Sequence, residues 1–142
     1  MSLANHVQFS DIQVGDHVPL LTLQPVNRTT LALYCGASGD HNPIHVDIDF
    51  ARKSRMPDVF AHGMLSAAYL GRLLTGWVPQ TQVRNVAIRF TGITHLGNQP
   101  TCTGVVTEKF EADGEQRVKV ALRCANQYGE DKLLGEAIVA LK

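Results

Sequence analysis

The chain has 142 residues, which fits one domain with a substantial hydrophobic core. Its thirteen basic residues balance its thirteen acidic ones, so it lacks the positive field that attracts nucleic acid or an anionic membrane surface. With 44% hydrophobic and 18% charged residues, and no apolar run of about 18 residues, it has the composition of a soluble globular protein. We expect no nucleic-acid or membrane partner.

The N-terminus and the cysteines favour a reducing compartment. The segment up to Asp11 lacks the charged start and the apolar stretch of a secretory signal. Cys35, Cys102 and Cys124 are an odd number without the paired spacing of metal ligands. Cysteines in apolar stretches are usually buried as small hydrophobes, so we expect three structural thiols and a cytoplasmic protein.

The first elements in chain order are a short strand and a helix. Residues 16–23 have the pattern of a strand. Thr29 and Thr30 can cap a helix through residues 31–35, and Gly39 can end it.

Irregular segments surround a second, shorter helix. The run Gly39-Asp-His-Asn-Pro-Ile-His45 is rich in turn residues and predicts a constrained loop. Asp47 and Asp49 can cap a helix through residues 50–53, and residues 56–61 form another connection.

The segment from His62 to Thr75 carries one charge in fourteen residues. It would form a helix about 21 Å long. Because such a helix is apolar nearly all round, we expect it to be buried on most sides.

The second half of the chain has the alternation of long strands. Apolar residues recur at every second position in 86–90 and 118–124, and residues 133–141 make the last strand. Asp113-Gly114 and Tyr128-Gly129 are turn signals between these strands.

A sheet wrapped around one hydrophobic helix buries the apolar surfaces of both. We therefore predict an α+β fold, a single hot-dog domain whose antiparallel sheet surrounds the central helix at about His62–Thr75. Exposed sheet edges predict a homodimer or a dimer of dimers, with one sheet continuing across two subunits.

The loop contains two groups that can transfer protons in a reaction near neutral pH, Asp40 and His45. Pro43 fixes its own backbone angle and keeps Asn42 out of helical geometry, so the loop can hold both side chains at a set angle. The same residues occur in ordinary surface turns, and spacing alone leaves both interpretations open. Asp40, His45 and His62 lack the compact spacing of a known metal class, so we expect no metal.

The start of the predicted central helix is a second candidate. Backbone N–H groups at a helix start lack internal partners and favour negative charge. Gly63 allows a ligand to approach them closely, as an enolate-like thioester oxygen requires. The alternative is that Gly63 only permits close helix packing.

Four motifs occur together: Tyr34-x-x-x-Ser38-Gly-Asp-x-Asn-Pro-Ile-His45, Phe50-Ala51, Ala61-His-Gly-Met-Leu65 and Arg89-Phe90. This combination resembles the MaoC-like dehydratases, which include the R-specific enoyl-CoA hydratases of the hydratase 2 group. The resemblance runs from residue 9 to the terminal strand, so it implies one MaoC-like hot-dog domain over residues 1–142.

The resemblance implies reversible hydration of trans-2-enoyl thioesters, carried by CoA or acyl carrier protein, to R-3-hydroxyacyl thioesters. Asp40 and His45 would be catalytic, and the Gly63 N–H would bind the thioester oxygen. No metal or organic cofactor is implied. Four neighbours would bind substrate or position the pair: Asn42, Pro43, His62 and Met64.

The resemblance has one departure and leaves two alternatives. Residues 94–98 read Thr-His-Leu-Gly-Asn, where the family usually has a turn like Pro-Gly-Asp. A hot-dog thioesterase would keep the fold and the helix start but would not explain the Asp40 and His45 loop. A non-catalytic acyl-binding subunit of a hetero-oligomer would be expected to lose one of these two residues.

Overall fold

A computed structural model describes residues 6–142, and in this range five strands form one antiparallel sheet. Their order across the sheet is β1-β3-β4-β5-β2, which leaves β1 and β2 at its two edges. The strands are β1 (His17–Thr22), β2 (Val83–Phe90), β3 (Thr101–Ala112), β4 (Glu115–Ala125) and β5 (Asp131–Leu141).

The helices lie between β1 and β2 in the chain. They are α1 (Arg28–Ser38), α2 (Ile48–Lys53) and α3 (Gly63–Trp77). Short 3-10 turns occur at Phe9–Asp11, Pro43–His45 and Gln80–Gln82. No helix within residues 6–142 combines the length and the apolarity needed to cross a membrane.

The core lies between α3 and the sheet. Apolar side chains along α3 pack against side chains from β3, β4 and β5, which all contribute to one buried cluster. Its members include Leu70, Leu73, Leu74, Trp77, Val106, Val118, Val120, Leu122 and Val139. This arrangement is the predicted hot-dog fold. The three cysteines are buried and free.

One side of α3 contradicts the prediction of burial on most sides. The helix runs from Gly63 to Trp77, with His62 as the residue that precedes its first turn. Met64, Ala68 and Thr75 are exposed along one stripe, because the sheet covers only the opposite face. Mean apolarity does not reveal which side of a helix lacks a neighbour.

The cap of α1 also differs from the prediction. The Asn27 side chain, rather than Thr29 or Thr30, begins the helix, because its Oδ1 accepts hydrogen bonds from the Thr30 N–H at 2.9 Å and the Thr30 hydroxyl at 3.1 Å. The predicted end at Gly39 is confirmed by its φ of 76°.

The cap of α2 is partly as predicted. Asp47 caps this helix, accepting from the N–H groups of Asp49 and Phe50. Asp49 lies inside its first turn and does not cap it.

Candidate active site

A ladder of short-range hydrogen bonds shapes the loop between α1 and α2. The Asp40 N–H donates to the Ser38 hydroxyl at 3.1 Å, and the Asn42 N–H donates to Asp40 Oδ1 at 3.2 Å. The Asn42 side chain then accepts from the Ile44 N–H at 3.1 Å and caps the 3-10 turn that Pro43 begins. Asn42 and Pro43 therefore shape the backbone between Asp40 and the end of the turn.

His45 ends this turn and is buried, with 8% of its surface exposed. Its Nδ1 lies 2.7 Å from the carbonyl oxygen of Phe60, and the Phe60 ring meets the imidazole edge-on at 5.1 Å. Because a carbonyl only accepts, the Nδ1 atom carries the hydrogen. In the neutral ring Nε2 then keeps its lone pair and can take a proton.

His62 lies directly against His45, with ring centroids 3.8 Å apart and planes 28° apart. The His62 Nε2 lies 3.3 Å from both the Asp40 carbonyl oxygen and the Cys35 sulfur, and the Tyr34 ring packs edge-on at 4.8 Å. The Asp40 carbonyl requires a donor, so it selects the tautomer with hydrogen on Nε2. This one side chain contacts α1, the loop and the catalytic histidine candidate.

Burial and the nearby His45 lower the pKa of His62, while the hydrogen bond to the Asp40 carbonyl and the Asp40 carboxylate oppose the shift. Burial, with a smaller contribution from the Asp40 charge, raises the pKa values of Tyr34 and Cys35. His62 is therefore neutral, and the phenol and the thiol protonated, near pH 7. None of these three groups therefore changes its protonation state near pH 7.

Asp40, His45 and His62 also bring one potential ligand atom each within 4.8 Å of one another. A metal ion would need both imidazole lone pairs, which lie in the ring planes, to meet about 2 Å from each nitrogen. Stacked planes only 28° apart do not converge at that distance. The stacked arrangement of the two rings therefore does not direct both lone pairs at one shared ion.

Gly63 is the first residue of α3, where N–H groups have no partner inside the helix. The His62 side chain makes no capping hydrogen bond there. A Cβ atom added to Gly63 would lie 2.7 Å from Cε1 and 2.8 Å from Cδ1 of the Phe90 ring. The close approach of Phe90 therefore supports the packing interpretation of this glycine, and the free helix start remains available to an oxygen ligand.

Met64 is 56% exposed on the open stripe of α3, so the structure does not bring it to Asp40 and His45. Thr94–Asn98, the segment that departs from the family, still borders the site through a bridge between Phe60 and His95. Gly97 takes a φ of 80° there, and Asn98 Oδ1 accepts from the His95 N–H at 3.2 Å.

Sequence reasoning gave no role to four residues that the structure places around the histidines or the helix start. The four motifs include Tyr34 and Phe90, so the sequence indicated that these two residues lie near the site. It did not indicate which residues they contact. Phe60 had no such signal, because it contacts His45 through its backbone carbonyl, which every residue possesses. Cys35 had none either, because its sequence pattern was that of a core residue. The four are Tyr34, Cys35, Phe60 and Phe90.

Known proteins resemble this chain in both sequence and fold. Residues 11–127 match the family described as the MaoC like domain. An (R)-specific enoyl-CoA hydratase of Rhodospirillum rubrum is 31% identical over 101 residues, which are 70% of this chain and 69% of that protein. The fatty acid synthase subunit beta of Saccharomyces cerevisiae is 29% identical over 123 residues, 77% of this chain but only 6% of that subunit.

Among solved structures, the R-hydratase PhaJ1 of Pseudomonas aeruginosa superposes with a TM-score of 0.84 at 29% identity, covering 96% of this chain and 87% of PhaJ1. The fold and these likenesses define a hot-dog protein of the hydratase and dehydratase class. The chain belongs to the MaoC-like dehydratase family.

Proposed function

We propose that this protein reversibly hydrates trans-2-enoyl thioesters to R-3-hydroxyacyl thioesters, with Asp40 and His45 as its acid–base pair. The observation that carries the proposal is the pairing of Asp40 with a buried His45 whose Nδ1 is occupied by the Phe60 carbonyl. That contact directs the basic Nε2 of the neutral ring away from Phe60. The similar hydratase of Rhodospirillum rubrum acts on an enoyl-CoA thioester by name, and this supports the substrate class.

In the proposed reaction Asp40 and His45 hold one water molecule. One of them removes a proton as the water oxygen bonds to C3, the C2–C3 double bond opens, and negative charge moves to the thioester oxygen. The N–H of Gly63 at the start of α3 stabilises that charge. The pair then returns a proton to C2, which leaves the protein in its starting state.

His62 is proposed to position the pair without touching the reacting atoms. Its Nε2–H group holds the Asp40 carbonyl, and its ring face fixes the plane of His45. Asn42 and Pro43 hold the intervening backbone. A neutral His62 allows His45 to become positively charged during the reaction without a second cation stacked on it.

We also propose a homodimer built through the β2 edge. Four large apolar side chains on β2, beside it or at the start of α3 are 43% to 56% exposed: Met64, Val86, Phe90 and Ile93. A second copy would cover this surface and continue the sheet. In that assembly Met64 would contact the partner or the substrate from the open stripe of α3.

Loss of the enoyl absorbance, followed with thioesters of four to twelve carbons, tests the activity. Asp40 and His45 come from one short loop, so they should deliver water and proton to one face of the alkene. Hydration in deuterated water should therefore give an R product with syn-placed deuterium at C2. An S product would contradict the R assignment. Deuterium placed anti to the new hydroxyl would contradict the two-residue mechanism. Release of free thiol without hydration would indicate a thioesterase.

A further inference from the structure

A network of buried polar side chains holds the turn at residues 94–98, which borders the proposed site. Asparagine and lysine usually lie at the protein surface, whereas here Asn98 is 9% exposed, Asn126 5% and Lys132 6%. A buried polar group costs stability unless it is hydrogen-bonded. The partners of these three side chains therefore indicate what the network keeps in place.

Asn126 lies at the centre of the network and uses its whole amide. Its Oδ1 accepts from the N–H groups of Tyr128 and Glu130, at 3.1 and 3.0 Å. Its Nδ2 donates to Glu130 Oε2 at 2.8 Å and to Asn98 Oδ1 at 3.4 Å. Both lone pairs and both N–H groups of the amide are thereby satisfied. Asn126 therefore connects the turn between β4 and β5 to the turn at residues 94–98.

Lys132 anchors the far end of the network. Its ammonium group donates to Glu130 Oε2 at 2.9 Å, the same oxygen that Asn126 contacts. The hydrogen bonds from Lys132 and Asn126, together with the lysine charge, lower the pKa of Glu130, so its carboxylate stays negative at neutral pH. A buried cation requires such a partner, and the ion pair fixes the oxygen to which Asn126 donates.

The network reaches His45 through the backbone of the turn. Asn98 Oδ1 accepts from the His95 N–H at 3.2 Å. His95 forms a β-bridge with Phe60, and the Ala61 N–H donates to a carbonyl of the same turn at 2.9 Å. The Phe60 carbonyl oxygen lies 2.7 Å from Nδ1 of His45. The position of that carbonyl therefore depends on where the network holds the His95 backbone.

We propose that Asn98 is a positioning residue for His45 and that Asn126 supports it. Asn98 holds the His95 N–H, and through the paired backbone it places the Phe60 carbonyl that keeps the hydrogen of His45 on Nδ1. If the carbonyl shifts, the imidazole exchanges between its two tautomers, and a hydrogen on Nε2 removes the lone pair that the proposed reaction requires. The inference rests on the proposed function for its effect on rate, but the tautomer of His45 can be measured without catalysis.

Asn98→Leu and Asn98→Asp form a matched pair of variants. Leucine has a similar size and no acceptor, whereas aspartate keeps an oxygen for the His95 N–H. The ring ¹⁵N chemical shifts of His45 at pH 8, assigned by the loss of its signals in His45→Gln, distinguish the two tautomers. Wild type and Asn98→Asp should show the Nδ1–H tautomer, and Asn98→Leu a mixture of both. The Nδ1–H tautomer alone in folded Asn98→Leu would overturn the proposal.

Hydration kinetics give an independent measurement. Asn98→Leu should lower kcat by about tenfold with little change in KM, because the base is misaligned while the thioester still binds. Asn98→Asp should recover most of that loss. Val118→Ala is the control for lost stability, since it opens a cavity in the core towards the other end of β4 and should lower Tm without changing the His45 tautomer. An equal fall of kcat in Val118→Ala at a similar Tm would contradict a positioning role.

Asn126→Asp tests the same connection one step away and serves if Asn98→Leu does not fold. It keeps the shape of the side chain but replaces the donating amide with a carboxylate beside Glu130, so it should produce a smaller shift towards the tautomer mixture. An unchanged tautomer in this variant would contradict the supporting role of Asn126.

The two measurements separate this inference from the proposed function. A tautomer mixture in Asn98→Leu, in a protein whose wild type hydrates no enoyl thioester, would reject the proposed function and leave the positioning of His45 standing. Hydration by the wild type, with neither the tautomer nor kcat changed in Asn98→Leu, would do the reverse.

Discussion

His45 and His62 stack with their ring centroids 3.8 Å apart, an arrangement that two charged imidazoles would oppose. The structure avoids this charge repulsion because burial lowers the pKa of His62 and keeps its ring neutral. The Nε2–H group of that neutral ring donates to the Asp40 carbonyl. The Nδ1 atom of His62 is buried and has no hydrogen-bond partner in the described chain. A buried acceptor without a partner costs stability, and residues around reactive centres often retain such a cost.

The acid–base pair gives the most direct prediction at the residue scale. Asp40→Asn and His45→Gln should each lower kcat by about 10²–10⁴, because proton transfer is lost while the side-chain shape is kept. Because the two act on one water, the double variant should be little slower than the poorer single variant. Steady-state kinetics on folded proteins checks this, and fully multiplying losses would contradict the shared water.

The lowered pKa of His62 predicts how stability depends on pH. Unfolded His62 takes up a proton near the ordinary value of 6.5, whereas the folded protein resists it. This contribution to stability is therefore complete above pH 6.5 and is lost as pH falls below it. The Tm of wild type should therefore fall relative to that of His62→Phe as the pH is lowered from 8 to 5. A difference that is constant with pH would contradict the buried neutral ring.

His62→Phe also tests positioning. Phenylalanine keeps a ring against His45 but loses the donor to the Asp40 carbonyl, so kcat should fall by about tenfold or more with little change in KM. His62→Asn, which keeps a donor, should recover part of kcat if that hydrogen bond matters. Equal changes in kcat and KM would indicate a structural role alone.

Residue types in the loop made Asp40 and His45 candidates, because few side chains can transfer protons near neutral pH, and the family resemblance then favoured a catalytic role. They were insufficient to find the contact that orients His45. Phe60 provides a backbone carbonyl, and its position depends on how residues 56–61 return past the loop. Such a contact depends on three-dimensional packing and has no signature in residue type.

At the scale of elements, local chemistry predicted the turn between β3 and β4 better than the start of α1. Asp113-Gly114 joins β3 to β4 with φ angles of 52° and 73°, as a two-residue hairpin turn requires, and this prediction is confirmed. The start of α1 was misplaced because several nearby residues can cap a helix. Asn27 does so since its side chain meets the N–H of Thr30.

The start of α3 provides a prediction for Gly63. Gly63→Ala would place a methyl group 2.7 Å from the Phe90 ring and beside the proposed oxygen-binding N–H. Phe90 is half exposed and can move, so Tm should fall slightly while kcat/KM falls by about tenfold or more. In Gly63→Ala/Phe90→Ala the Tm loss caused by crowding should disappear and the activity loss should remain. Recovery of both Tm and kcat/KM in the double variant would favour the packing interpretation of Gly63.

At the scale of the whole molecule, alternation and turn signals were sufficient to predict a sheet around one helix, because each buries the apolar face of the other. They could not show that α3 keeps an open stripe or that β2 is an edge strand. Both features depend on strand order, which places β2 beside β5 and β1 beside β3. Val86 and Phe90, two of the alternating apolar residues of β2, are exposed on this edge strand.

That exposed apolar edge predicts a homodimer with a mass twice the 15.5 kDa of one chain. Val86→Lys places a charge on the proposed interface and should shift the protein towards monomer, since charged edge strands resist pairing. Leu20→Lys places the same charge on the opposite edge, β1, and should leave the dimer intact. Sedimentation at several concentrations measures both. A monomeric wild type, or dissociation by Leu20→Lys alone, would contradict pairing through β2.

Because the second copy would cover Phe90 and Ile93, the specific activity of Val86→Lys should rise with protein concentration as the dimer reforms.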